Sequence, residues 1–199
     1  MKRRKWAHER AVVDGDPVAD AVSSVLARLI KDSHVLAMAG FVQHGSVSTL
    51  QHTVSVAYMA AMLAHRSRKA VDIDSVITGA LLHDYYLYDW HVKTKVGGRW
   101  HAFKHGRYAL ENAEHDCPHL LTRRSRDAIT AHMFPLARFP RTREGRIVSV
   151  ADKMVSTAEA AGLPWLADVA DSIIEGSGAT PCDIGREVTM LESAGFPER

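Results

Sequence analysis

The sequence predicts an all-α fold, a single-domain helical bundle, on three observations. Apolar residues recur at three- and four-residue spacing in nearly every segment, and no run shows a convincing β alternation. Residues that start and stop helices stand at the ends of those segments. The chain has 199 residues and 46% hydrophobic content, enough for one sizeable core.

The elements follow in chain order. In DGDPVADAVSSVLARLIKDS, Asp16 can cap the first turn, Pro17 suits the first helical position, and Val18, Val22, Val25, Leu26 and Leu29 form one apolar stripe. A short piece from 34 to 39 stops at Gly40. From 48 to 68, Leu50, Val54, Ala57, Tyr58 and Ala61 lie on one side and Val56, Met59 and Leu63 on another. A helix apolar almost all round belongs at the centre of a bundle, and His52 lies on it. The next helix, 74 to 84, has Asp74 as its expected cap, turns Val76, Ile77, Ala80 and Leu81 inward, and ends near His83 and Asp84. Residues 89 to 104 read as a long loop, with Gly97 and Gly98 as its flexible point. Helices follow at 106 to 115 and at 123 to 133, the latter capped by Thr122 and ended before Pro135. EGRIVSVADKMVSTAEAA makes a strong helix through Ile147, Val150, Ala151, Met154, Val155 and Ala158. Helices at 164 to 175 and 183 to 194 complete one domain over 1 to 199, with no repeat, low-complexity run or linker.

Composition excludes several classes. No apolar stretch approaches the roughly 20 residues needed to span a bilayer, and the basic start MKRRKWAHER has no apolar segment behind it, so a cytoplasmic protein is expected. Cys117 and Cys182 stand far apart in no metal-binding spacing, which argues against a disulfide framework or a Cys-type zinc site. A net charge of +2 is too mild to predict a specific nucleic-acid partner. The basic head, Lys2, Arg3, Arg4, Lys5 and Arg10, reads as a solvated terminus. Histidine is the informative residue: of 12, seven (His44, His52, His65, His83, His91, His101 and His105) fall between 44 and 105.

The stretch LLHDYYLYDWH ends an apolar run in His83 and Asp84. Neighbours on a helix point about 100° apart, so both can reach one metal only where the helix end leaves room. His52 and Asp152 each interrupt an otherwise apolar surface on other helices. A buried carboxylate without a cation or hydrogen-bonding partner costs several kcal/mol, and a divalent metal would compensate it. His105 and His132 fit a second ion, with Asp84 as the bridge: His52, His83, Asp84 and Asp152 at one ion, Asp84, His105 and His132 at the other. Mixed imidazole and carboxylate ligation suits Mn, Fe, Co or Zn.

This order, His, then His-Asp, then Asp, on an all-helical chain resembles the HD superfamily of metal-dependent phosphohydrolases. The resemblance runs from QHGSVSTLQH (43 to 52) through RIVSVADKM (146 to 154). It implies an HD-type helical bundle with its motif region at about 43 to 156 and the helices of 164 to 195 packed on it. FKHGRYALENA and ITAHM resemble the dinuclear members, and HDYYLYDWH is similar to a bacterial subgroup of HD-domain phosphohydrolases. Some relatives, including the cyclic dinucleotide phosphodiesterases, carry a tandem histidine where this chain has His132-Met133, and a Lys where it has Leu87. Those departures argue against cyclic dinucleotide hydrolysis and a third metal.

The resemblance implies hydrolysis of a phosphoester, of a nucleotide or another small phosphorylated metabolite, by a metal-bound hydroxide. Asp84 would bridge the ions, and Asp89 and His91 are candidates for moving protons to the leaving group. Arg141, Arg143 and Arg146 must connect His132 to Asp152, and with Lys153 they are candidate phosphate contacts, against the competing reading of a solvated face. His44 could line the mouth, and Trp100 and Phe103 could stack on a base. The six-ligand pattern equally resembles HD-type diiron oxygenases, and a non-catalytic module binding a nucleotide or partner is the third reading. A homodimer is a weak expectation for a helical domain of this size.

Overall fold

The amphipathic pattern of the first segment folds as α1 (Pro17–Asp32), whose buried stripe is Ala19, Val22, Val25, Leu26 and Leu29. The computed structural model describes residues 15–89, 91, 101–163 and 166–194. Asp16 caps α1 as the sequence predicts, accepting from the Val18 amide at 2.9 Å. Its second oxygen accepts from the Tyr58 hydroxyl at 2.6 Å, which ties the helix start to the central helix. A 3₁₀ turn at Val35–Gly40 follows, where the sequence has its short piece.

A two-stranded antiparallel hairpin, β1 (Val42–His44) and β2 (Val47–Ser48), departs from the expectation of helix throughout. Strands this short carry too few residues for alternation to register. Gly45 supplies the positive φ of 59° that the turn needs. The hairpin leads into α2 (Thr49–His65), opened by a capping box in which Ser48 and Gln51 satisfy each other's backbone. Residues 52 to 61 of α2 are buried without a break, as its all-round apolar sequence requires. It packs against α3 (Ile73–Leu82), α6 (Arg143–Ala160), α7 (Ala167–Gly176) and α1.

The cap of α3 is Asp72, not Asp74: Asp72 accepts from the Ser75 amide at 3.2 Å, whereas Asp74 sits in the first turn and pairs with Arg28 of α1. Beyond α3 the chain stays buried from His83 to Tyr88, and Leu87 takes a left-handed φ of 54° that non-glycine residues rarely adopt. Trp90 and residues 92 to 100, with Gly97, Gly98 and Trp100, lie outside the described residues. The following helix, α4 (His101–Asp116), starts earlier than expected, so His105 lies one turn inside it. Then come α5 (Arg123–Ala131), with the expected Thr122 cap, and α6, capped by Thr142. Of the last two helices, α7 packs on α2 and α1, and α8 (Pro181–Ala194) packs on the 3₁₀ turn. The result is a predominantly helical, single-domain bundle. No helix among the described residues is long and apolar enough to cross a membrane.

Candidate metal centre

Helix ends aim the imidazoles. The last carbonyls of a helix lack intrahelical donors, and two site histidines exploit this. His83, closing α3, donates from Nδ1 to the Ala80 carbonyl at 2.7 Å; His132, closing α5, does the same to the Ile129 carbonyl at 2.7 Å. His52, within α2, donates from Nδ1 to Glu159 of α6 at 2.8 Å. A neutral imidazole with a protonated Nδ1 carries its lone pair on Nε2. In all three residues Nε2 is turned to the same buried region.

That region holds two carboxylates. Asp152 Oδ1 lies 3.5 Å from His52 Nε2 and 3.7 Å from His83 Nε2. The two oxygens of Asp84 face different partners: Oδ2 is 3.5 Å from His83 Nε2 and 3.9 Å from His52 Nε2, whereas Oδ1 is 3.2 Å from His105 Nε2 and 3.6 Å from His132 Nε2. His105 and His132 meet Nε2 to Nε2 at 2.7 Å. All six residues predicted as ligands are therefore brought together from α2, the end of α3, α4, the end of α5, and α6.

Three buried atoms of this cluster, His52 Nε2, His83 Nε2 and Asp84 Oδ1, have no hydrogen-bond partner. Buried polar atoms are left so only at considerable cost, and three in one cluster call for a cation. Two ligand groups answer: His52, His83 and Asp152, and His83, Asp84 and His132, each with its donor atoms within 4.8 Å of one another. Nitrogen and oxygen donors in this mixture fit a divalent transition metal.

Electrostatics agree. Burial opposes charge on Asp84, yet His83, then His105 and His132, hold its carboxyl well below the ordinary carboxylate range. Burial likewise opposes ionisation of Asp152, and His52 and His83 keep it ionised. Burial, then His105 and His83, push His132 down to about 3, so its imidazole is neutral at pH 7. His52 goes the other way: burial lowers it, but the carboxylates of Asp152 and Glu159 outweigh burial and raise it to about 10. Without a metal, the carboxylates draw a proton to His52 in its place.

Several contributors are absent from the sequence reading. Gln43, on β1, donates from Nε2 to Asp84 Oδ2 at 2.8 Å, while its Oε1 accepts from the Tyr86 hydroxyl at 2.8 Å and from Thr49 at 3.3 Å. This leaves Asp84 Oδ1 facing His105 and His132. Glu159 orients His52 and Ser149 fixes the His132 carbonyl at 2.6 Å, while Lys153, a phosphate candidate in the sequence, donates to that same carbonyl at 2.8 Å. The one sequence signal for Glu159 was its place seven residues after Asp152, two turns along the same face.

The cluster opens into a cavity of about 410 Å³, lined by Gln43, His44, Ser156 and Thr157, by Lys153, and by the run Met133 to Leu136. Asp89 and His91 form an exposed pair, joined at 3.0 Å, away from that lining. Arg143 reaches the Ala70 carbonyl at 3.4 Å; Arg146 donates to the Pro140 carbonyl at 3.3 Å and lies over the Phe139 ring. Arg141 is exposed on the connection. None of the three arginines is among the cavity's lining residues. Phe103 is exposed, and both cysteines are free, Cys117 buried and Cys182 exposed.

Comparison with curated proteins and with solved structures returned no match. A family profile did match: the HD domain, over residues 49–156. That span is more than half of the chain and contains His52, His83, Asp84, His105, His132 and Asp152. With its buried histidine and aspartate cluster, this chain belongs to the HD domain family.

Proposed function

We propose that this protein is a metal-dependent phosphohydrolase that cleaves a phosphoester of a nucleotide or other small phosphorylated metabolite. The observation that carries the reading is a buried cluster of imidazoles and carboxylates, with unpartnered donor atoms, opening directly into a cavity of ligand size. His52, His83, Asp84 and Asp152 would hold one ion, and Asp84, His105 and His132 a second, from among Mn, Fe, Co and Zn. Two such ions supply activation of water and neutralisation of phosphate charge.

The chain's own residues do the rest. Gln43 holds Asp84 so that each oxygen serves one half of the cluster. Glu159 fixes the tautomer and direction of His52. Water is excluded below the cavity floor by the burial of His52, His83 and Tyr86. Asp89 and His91, the acid-base candidates named from the sequence, form an exposed pair outside the cavity lining and take no part in this reading, in which the attacking water supplies the proton that the leaving oxygen takes up. Water adds to phosphorus, the bond from phosphorus to the ester oxygen breaks, and that oxygen leaves as an alcohol.

The test is elemental analysis of protein purified without chelator, together with phosphate release from small phosphoesters. About two equivalents of transition metal per chain, with both metal and turnover lost in Asp84→Ala, are expected. Full activity in Asp84→Ala would overturn the reading. Iron with oxygen consumption and no phosphate release would replace it by an oxygenase.

A further inference from the structure

We propose that the substrate carries a single phosphoryl group on an uncharged organic body with an apolar face, and that this face packs on the wall from Met133 to Leu136. The inference rests on the phosphohydrolase reading and narrows its substrate. It starts from where the nearby positive charges are spent. Lys153 lines the cavity, but an ammonium has three N–H donors, and here they go to the His132 carbonyl at 2.8 Å, the Ser149 carbonyl at 3.1 Å and Ser149 Oγ at 2.9 Å. Arg138 is held by Asp127 and Thr130, and Arg143 and Arg146 by the carbonyls of Ala70 and Pro140. Among the described residues, the cavity therefore offers its metal cluster as the place for one phosphoryl group and no uncommitted Lys or Arg for a second or third.

The walls describe the rest of the molecule. On one side stand Met133, Phe134, Pro135 and Leu136, with Phe134 and Leu136 partly exposed into the opening. Phe139 meets Phe134 edge to face at 5.1 Å, and the Arg146 guanidinium lies 5.2 Å over Phe139. The segment is anchored at its start, where Ser149 and Lys153 bind the His132 carbonyl. The exposed part of the Phe134 ring is a surface on which an apolar face can pack. The facing side, Gln43, His44, Ser156 and Thr157, offers amide, imidazole and hydroxyl groups. A neutral body with one apolar face and a few hydroxyl or amide groups matches both sides.

The test uses Mn²⁺-loaded protein and three probes: 1-naphthyl phosphate, glycerol phosphate and adenosine triphosphate. The expected result is a kcat/KM for 1-naphthyl phosphate at least about tenfold above each of the others, a preference reduced about tenfold in Phe134→Ala and likewise in Leu136→Ala. Equal rates on all three, or a preference for the triphosphate, would overturn the inference while leaving a phosphohydrolase. Tight binding of 1-naphthyl phosphate that weakens in the two variants, with no phosphate released from any probe, would support the apolar wall and overturn the hydrolytic reading. Neither binding nor turnover would sink both.

Discussion

At the residue scale, the cluster depends on partners outside its six imidazoles and carboxylates. Glu159 accepts from His52 Nδ1 at 2.8 Å, and that bond decides that Nε2 is the atom offered to the cluster. Replacing such an orienting partner typically lowers metal affinity about 10- to 100-fold. Glu159→Gln keeps the size and one acceptor but removes the charge, so it is expected to weaken metal binding by that factor while the helical circular dichroism stays unchanged. Titration with Mn²⁺ or Co²⁺ checks it, and unchanged affinity would show that His52 holds its orientation without the carboxylate. Gln43 and Glu159 were harder to see in sequence than the six ligands for a physical reason. A histidine or aspartate on an apolar face is costly and so conspicuous, whereas a glutamine in a loop or a glutamate near a helix end looks like ordinary surface until the fold buries it.

At the element scale, the same limit applies to close approach. Helix positions and the polarity of their faces were legible from periodicity, and so were the six residues that cluster. The spacing between helices was not, because it is set by what is missing. Gly106 follows His105 on α4, and a Cβ there would lie 2.9 Å from the Ile129 carbonyl and 3.3 Å from Cε1 of His132. That carbonyl is the one that aims His132. The glycine thus lets α4 come near enough to α5 for His105 and His132 to meet. Gly106→Ala gains up to about 1 kcal/mol in helix propensity and loses about 1–3 kcal/mol to overpacking, so a net loss of about 0–3 kcal/mol is expected. The decisive readout is metal content. Loss of about one equivalent, with the equivalent at His52, His83 and Asp152 retained, is expected from elemental analysis; two retained equivalents would mean that α4 and α5 separate without disturbing the ligands.

At the scale of the whole molecule, the cluster gathers side chains from five helices onto one point, and what holds them must be positive charge. A metal and a proton on His52 are alternatives for that charge. In the metal-free chain His52 is raised from 6.5 to about 10, so its contribution to stability is fully present below about 6.5 and is lost as pH rises through about 10. The metal needs Nε2 deprotonated, so its preference runs the opposite way. Two outcomes are expected. Calorimetry at pH 7.5 in buffers of different ionisation enthalpy should show about one proton released per cation bound at His52. Affinity there should rise up to about tenfold per pH unit between 7 and 9. The rise in melting temperature on adding metal should widen over the same interval, since a ligand at about 100 times its Kd adds roughly 2.7 kcal/mol, or about 5–10 °C for a chain of this length. Affinity that stays flat from pH 7 to 9, with no proton released, would mean that His52 is already neutral without metal and that the carboxylates are balanced elsewhere in the bundle.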